Sequence, residues 1–407
     1  MSAQPAHLGL RIFLPFAGGY FLSYLLRAVN AVIAPELQQE LTLSAANLGL
    51  LTATYLLAFG AFQIPLGMLL DRYGPRRIQS ALLVIAAIGT ALFAVGHSLT
   101  ELAFARGLIG LGVSACLMAS LKSFMQWFPL ERQAALAGAI MATGALGALS
   151  ASVPLEWVLP SLGWRGVFVV LTIALLLISV ITFLSVPERA VDASALSFTS
   201  QWQGVVQIVS SRQFWRFAPL MGLFSGSFMA LLGLWAVPWL MSVNGATRGV
   251  AAEHLFALGL GMLVCYLGIA ALTTRLTRRG MRPAVQLAFS AALTLAFEGL
   301  IILGVTPTLV LWAGYGLFVS ASSLCYTTLA AYFPVALSAR VTTAVNLSAF
   351  AGAFGLQWGI GLVVDSLSAA GWAPPSAYRA AFSLMFVLQA IAYAWYLLEG
   401  RRDKTHP

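Results

Sequence analysis

A polar loop that occurs twice constrains this chain most. Asp71-Arg72-Tyr73-Gly74-Pro75-Arg76-Arg77 returns 206 residues later as Thr277-Arg278-Arg279-Gly280-Met281-Arg282-Pro283. The two copies follow the second and the eighth of twelve long apolar stretches. Two more echoes keep a similar offset. Trp127-Phe128-Pro129 is answered by Tyr332-Phe333-Pro334 at 205 residues, and Gly163-Trp164-Arg165 by Ala377-Tyr378-Arg379 at 214. Three echoes in register mark a duplicated chain, so two similar halves are expected.

Composition decides the solvent of those halves. With 60% hydrophobic and 9% charged residues, the chain has too little polar surface to cover itself in water. Its mean hydropathy is +0.89. Lipid is the matching solvent, and crossing it takes about 20 apolar residues in a helix. Candidate spans 1 to 6 lie near 12–36, 47–70, 78–98, 102–128, 133–158 and 165–186. Spans 7 to 12 follow near 214–242, 254–276, 284–304, 308–334, 341–366 and 379–398. Backbone groups in hydrocarbon must be satisfied within the segment, and stretches this long without alternation are helices rather than barrel strands. The expected fold is therefore all-α, with an N-terminal six-helix bundle over 1–186, a cytoplasmic linker over 187–213 and a C-terminal six-helix bundle over 214–407.

Basic residues set the orientation. With both termini in the cytoplasm, sixteen Lys or Arg fall on that side: Arg11, Arg72, Arg76, Arg77, Arg132, Arg189, Arg212, Arg216, Arg275, Arg278, Arg279, Arg282, Arg340, Arg401, Arg402 and Lys404. Arg165, Arg248 and Arg379 fall on the other. The net charge of +9 thus reflects topology and not a nucleic-acid partner. Segment 1–11 has one Arg, and the stretch after it is too long for the core of a signal peptide, so it is read as span 1. Cys116, Cys265 and Cys325 sit inside predicted helices without metal-ligand spacing, which suits packing. No metal or cofactor is expected. Between the halves, Phe198, Trp202, Val205 and Val209 recur at helical spacing, which fits an interfacial helix or a solvated linker.

These residues lead to a family. Gly67-Met68-Leu69-Leu70-Asp71-Arg72-Tyr73-Gly74-Pro75-Arg76-Arg77 resembles the loop motif between helices 2 and 3 of the major facilitator superfamily. Arg106-Gly107-Leu108-Ile109-Gly110-Leu111-Gly112 is similar to its helix 4 motif. The resemblance implies a transporter that works by alternating access, its halves rocking about a central site lined by spans 1, 4, 7 and 10. More narrowly, Tyr24 to Asn30 followed by Ala34-Pro35-Glu36 looks like the organic-anion branches, which include organophosphate and sugar-acid carriers. There an Arg at the position of Arg27 contacts the anionic group, and a basic residue often stands at the position of Lys122. Two departures count against a doubly charged phosphate: Ala230 stands about where phosphate carriers have a second Arg, and Gln63 where they have a Lys. A monocarboxylate is easier to accommodate.

A charge near the bilayer centre costs about 2.5–3.5 kcal/mol even on lenient scales, so each one needs a reason. Arg27 lies too deep to snorkel. At helical spacing, Tyr20, Ser23, Tyr24, Arg27 and Asn30 share an arc of about 120°, a polar and aromatic stripe suited to a cavity wall. One reading makes the guanidinium a fork for a carboxylate; the other pairs it with a structural acid. Lys122 is a second anion contact, part of a cytoplasmic gate, or a snorkelling Lys. Arg106 serves either packing or coupling. In the second half, Phe224, Phe228, Leu231 and Trp235 align on span 7 within about 60°. Tyr315, Ser322 and Tyr326 align on span 10, and Asn346, Phe350, Ala353 and Gln357 on span 11. Each stripe alone is compatible with plain packing. Together they make a neutral, aromatic wall opposite the basic one, suited to cargo with an anionic head and an apolar or aromatic body.

For gating, Asp71 is expected to cap the start of span 11 near Arg340 and Thr342, where helix donors favour an anion. Arg72 and Arg76 belong to the same loop. Glu298 on span 9 is the clearest intramembrane acid and fits either a structural hydrogen bond or a titrating site. Proton symport therefore stays open through Glu298 or through the cargo's own carboxyl, beside exchange and facilitated flux. The main expectation is a monomeric secondary transporter of a small organic anion in a bacterial-type inner membrane. The alternative is a drug or metabolite exporter, against which stands Gly144-Ala145-Leu146-Gly147 in place of the exporters' Gly-Pro signature on helix 5. No nucleophile-base-acid set or phosphate loop suggests an enzyme.

Overall fold

The computed structural model describes residues 6–187, 198–334 and 337–402. Arg189 and Lys404 lie outside them, as do both chain ends. Every regular element among the described residues is a helix. Among the described residues, ten helices are long and apolar enough to cross a membrane, and two shorter apolar ones, Ala45–Ala61 and Ala135–Ser150, stand where spans 2 and 5 were expected. Span 1 is the helix Ala6–Leu41. Span 2 begins as Ala45–Ala61 and resumes at Gln63 in a helix that turns at Gly74 into span 3 and ends at Val95. Gly74 has φ 79°, and Gly280 in the second copy of the loop has φ 89°. That left-handed conformation is open chiefly to glycine, so the loop repeat is a repeat of backbone shape as well.

The duplication extends into the interior. Span 4 breaks between Leu99–Val113 and Cys116–Trp127, and span 10 between Thr308–Ser320 and Leu324–Ala330. The small residues of the helix 4 motif let backbones touch, as membrane helices require. Gly110 lies against the Tyr55 carbonyl of span 2, and Gly112 against the Ala86 backbone of span 3. Gly316, 206 residues after Gly110, meets the Leu258 backbone of span 8 in the same way. Span 7 runs from Arg212 to Asn244 with a π-helical turn over Leu231–Trp235, and span 8 is Arg248–Arg278. Spans 9, 11 and 12 are Pro283–Ile302, Ser338–Ala369 and Pro374–Arg402. The end of the bundle that carries Arg72, Arg76, Arg278 and Arg279 is called the basic end below, and the opposite one the far end.

The halves meet along antiparallel spans 2 and 11. A Cβ on Gly361 would clash with the Ala45 carbonyl, one on Gly49 would stand 2.5 Å from the Gln357 carbonyl, and one on Gly60 2.8 Å from Phe350 Cβ. Phe59 stacks on Phe350 with ring centroids 4.5 Å apart. Between the halves, Phe198–Val209 is a helix. Its Val205 and Ile208 are buried, its Gly204 touches the Arg340 side chain at the start of span 11, and Trp202 turns half outward.

Close backbone approach at Gly361 predicts that Gly361→Val forces spans 2 and 11 apart, at a cost of about 1–3 kcal/mol. Thermal unfolding of the detergent-purified protein should fall by several degrees. Gly359→Ala, whose new Cβ meets nothing within 4 Å, should leave the midpoint in place. Equal midpoints for both variants would show that the seam has slack.

Candidate functional site

Arg27 comes to rest where the halves meet. It is 5% exposed, and its guanidinium carbon stands 4.6 Å from the Tyr24 ring centroid, 5.0 Å from Phe59, 5.7 Å from Phe350 and 6.0 Å from Tyr55. Spans 1, 2 and 11 thus build an aromatic cage around one cation, with Phe350 from the second half. Facing rings attract a guanidinium without supplying a countercharge. Its buried Nε has no hydrogen-bond partner, and no carboxylate among the described residues pairs with it. The alternative of a structural acid is therefore not realised.

Tyrosines surround the cage. The Tyr20 and Tyr24 rings meet edge to face at 5.2 Å, and the Tyr20 hydroxyl reaches Met141 of span 5. Tyr266 of span 8 couples to the Tyr24 hydroxyl, and Tyr326 of span 10 lies within electrostatic reach of both Tyr24 and Arg27. Tyr326 donates to Asn346 Oδ1 of span 11 at 2.9 Å. The Tyr55 hydroxyl donates to the Ser23 carbonyl at 3.1 Å, which fixes its ring beside Arg27. Arg106 leans on the other side of this cluster: its Nη1 donates to the Leu26 carbonyl at 2.9 Å, and its guanidinium faces Tyr55 at 5.0 Å. It therefore ties span 4 to the backbone of span 1 next to Arg27. Tyr55, Phe59 and Tyr266 were not singled out from the sequence. Tyr55 and Phe59 do share a helical face at spacing four, a weak signal in a chain so rich in aromatics.

Other expected wall residues lie elsewhere. Lys122 does not reach the cage. Its ammonium donates to Asp71 Oδ1 at 2.5 Å and to the Leu70 carbonyl at 2.7 Å, so it closes the basic end of span 2 onto span 4. Asp71 is thus bound to Lys122 in place of the expected cap on span 11, and Leu337, which precedes that helix, supplies no side-chain cap. Beside it, Arg72 stacks on Tyr73 and Arg76 faces Phe183. Trp235 is fully buried and donates through Nε1 to the Gln357 carbonyl at 2.9 Å, which makes it a strut between spans 7 and 11. Phe228 is packed in the core. Asn30 is buried and donates to Thr52 at 3.1 Å. Gln357 is buried with both side-chain polar atoms unpaired, near the Arg27 carbonyl across Gly233.

Polar contacts across the halves cluster at the far end. Asp365, late in span 11, accepts from the backbone N–H groups of Ala45 and Ala46 at 3.0 and 2.8 Å, and so caps the start of span 2. A carboxylate there satisfies orphan donors and meets the positive end of the helix dipole. Arg248, at the start of span 8, forks between Glu36 of span 1 and Glu156, in the first turn of the helix Val153–Ser185 that bends at Gly163 into span 6, with Nε 2.9 Å from Glu156 Oε1. The far end is therefore latched by one cap and one ion triad, both joining the first half to the second.

A bundle of long apolar helices with a buried cation at its seam that pairs with no acid among the described residues, and with latches at one end, has the architecture of a membrane carrier. The chain belongs to the Major Facilitator Superfamily, whose profile matches residues 16–356. Among its relatives, it is 27% identical over 218 residues to the galacturonate transporter of Dickeya chrysanthemi, a match covering 49% of this chain and 63% of that protein. It is 26% identical over 152 residues to a probable sulfoacetate transporter of Cupriavidus necator, covering 37% and 35%. The matches thus span less than two thirds of those proteins. Among solved structures, a bacterial homolog of the human lysosomal transporter Spinster aligns with TM-score 0.76 and 18% identity over 98% of both chains. These relatives are transporters, not enzymes.

The latch yields a measurable expectation. Asp365→Asn weakens the cap of span 2 by about 1–2 kcal/mol, roughly a five- to thirtyfold shift in the closed-to-open ratio. A cysteine placed at Thr52, a buried seam position, should then be labelled faster by an added maleimide than in the parent. Equal labelling rates would remove Asp365 from the latch.

Proposed function

We propose that this chain is a secondary transporter of a small organic anion, most simply a monocarboxylate with an apolar or aromatic body, moved by alternating access. One observation carries the reading: the Arg27 guanidinium is buried between the halves without an acid. A guanidinium stays charged at any physiological pH, and an uncompensated buried charge is costly. An arriving carboxylate supplies the missing charge and accepts paired donors. Because the cage takes Phe350 from one half and Tyr24, Tyr55 and Phe59 from the other, an anion bound there engages both halves at once. The rings suit an apolar body, and the Tyr24, Tyr266 and Tyr326 hydroxyls offer hydrogen bonds beside it. Relatives named for galacturonate and sulfoacetate support an anionic cargo.

On this reading the basic end faces the cytoplasm of a bacterial-type inner membrane, following the distribution of Arg and Lys, and the protein acts as a monomer. Lys122 and Asp71 belong to the cytoplasmic gate. When that end closes, Asp71 leaves Lys122 for the start of span 11, while Asp365 and Arg248 let go at the far end.

A thermal-shift panel tests the cargo class. Galacturonate, sulfoacetate, benzoate and an organic cation such as tetraethylammonium are added to purified protein. Anions should raise the midpoint, benzoate most, and Arg27→Ala should erase the effect, while Arg27→Lys retains part of it because a lysine keeps the charge without the fork. Stabilisation by the cation that survives Arg27→Ala would overturn the anion reading.

A further inference from the structure

Away from the cage, the second half buries two acids among the described residues, Glu399, which pairs with Arg212, and Glu298, which has no cationic partner. Glu298 on span 9 is 2% exposed, four residues or about 6 Å along the axis from the far end of its helix. Its partner is Gln389 of span 12, whose Nε2 lies 3.0 Å from Oε1 and 2.8 Å from Oε2. Gln389 Oε1 is buried and unpaired. From span 10 the facing titratable group is Tyr315, which feels the carboxyl electrostatically, and no charged group from spans 7, 8, 10 or 12 acts on it. The Tyr315 hydroxyl is 2.8 Å from Ser227 Oγ, near mid-depth on span 7. Polar groups therefore lead from spans 9 and 12 to Ser227 of span 7, the residue before Phe228.

The chemistry of this pair is incomplete as an ionised one. A carboxylate facing a single amide, with no cation in reach, is an uncompensated buried charge, and it leaves the amide oxygen idle. A carboxylic acid completes both groups: its O–H donates to Gln389 Oε1, while its carbonyl accepts from Gln389 Nε2. Which end of an amide is oxygen is assigned from its network, so the amide turns to suit either form.

We propose that Glu298 and Gln389 form a proton-binding site that is loaded and emptied during transport, with Tyr315 and Ser227 linking its state to span 7. On loading, one carboxylate oxygen gains a proton from water at the far end and forms an O–H bond. On unloading, that bond breaks and the proton leaves for the basic side. The inference rests on the proposed anion carrier for the cargo that the proton accompanies, and it makes the flux of a monocarboxylate with one proton electroneutral.

Two measurements test it, one without cargo. Infrared difference spectra of purified protein between acidic and alkaline buffers should show a buried carboxylic-acid band that disappears at alkaline pH and is missing in Glu298→Gln. In proteoliposomes, an acid-outside gradient should raise galacturonate uptake several-fold for the parent and not at all for Glu298→Gln at equal protein abundance. A band that persists at every pH at which the protein stays folded would make Glu298 a permanent structural acid and overturn the proposal. So would a gradient response kept by Glu298→Gln. Should that variant fail to fold, Gln389→Leu keeps the carboxyl, and it must move the pH at which the band disappears; an unmoved band overturns the pairing. A titrating band in a protein that carries no galacturonate and is not stabilised by anions would leave the proton site standing and remove the anion carrier instead.

Discussion

Close contact between spans 2 and 11 is the constraint on which the rest of the molecule depends. Two antiparallel helices from different halves can approach this closely only because Gly49, Gly60 and Gly361 present no side chains to the opposing span. That approach brings Asp365 onto the first turn of span 2 and stacks Phe59 on Phe350. The same stacking completes the ring cage around Arg27. In hydrocarbon there is no general hydrophobic drive between helices, so small residues and a few polar caps decide which surfaces meet. Separating the pair would expose the helix donors at Ala45 and Ala46, strip the Arg27 guanidinium of Phe350, and loosen the strut from Trp235 to Gln357.

Charges in this protein are arranged by what they lack as much as by what they touch. Lys122, Arg248 and Arg212 each have a carboxylate, with Asp71, with Glu36 and Glu156, and with Glu399. Arg27 has aromatic rings and the Tyr55 hydroxyl but no carboxylate among its described neighbours, and Arg106 has the Leu26 carbonyl and Tyr55. Paired charges hold the ends of the bundle, while solitary ones sit at its centre. Spans 2 and 11 each carry an acid towards the C-terminal end, Asp71 and Asp365, and Asp365 meets the first turn of span 2. Only the contact at Asp365 is made in this state, because Asp71 is held by Lys122.

Much of this was legible before any coordinates. The loop repeat marked the duplication, and the structure gives both copies the same left-handed turn, at Gly74 and Gly280. The depth of Arg27 and its stripe with Tyr20 and Tyr24 were readable because side-chain direction within one helix follows from its period. Spacing of Phe198, Val205 and Val209 foreshadowed the helix between the halves. Helical period says nothing about which neighbour waits on a given face. Lys122 shared a plausible face with a cavity yet found Asp71 on the adjoining span. Trp235 belonged to an aromatic stripe yet turned into the joint with span 11. Tyr55, Phe59 and Tyr266 gain their meaning only from the neighbours that the packing of span 1 sets beside them.

What the sequence alone determined is therefore the solvent, the helices, the duplication and the presence of a deep cation, because these depend on composition and on periodicity within a segment. Tertiary structure decided that Arg27 is ringed by aromatics from both halves, that Asp365 rather than Asp71 holds the seam in this state, and that Glu298 meets Gln389. Those outcomes depend on the rotation and relative shift of helices up to 320 residues apart in the chain. Rotation and shift are set by glycine-to-backbone contacts between segments, which no pattern within one segment encodes.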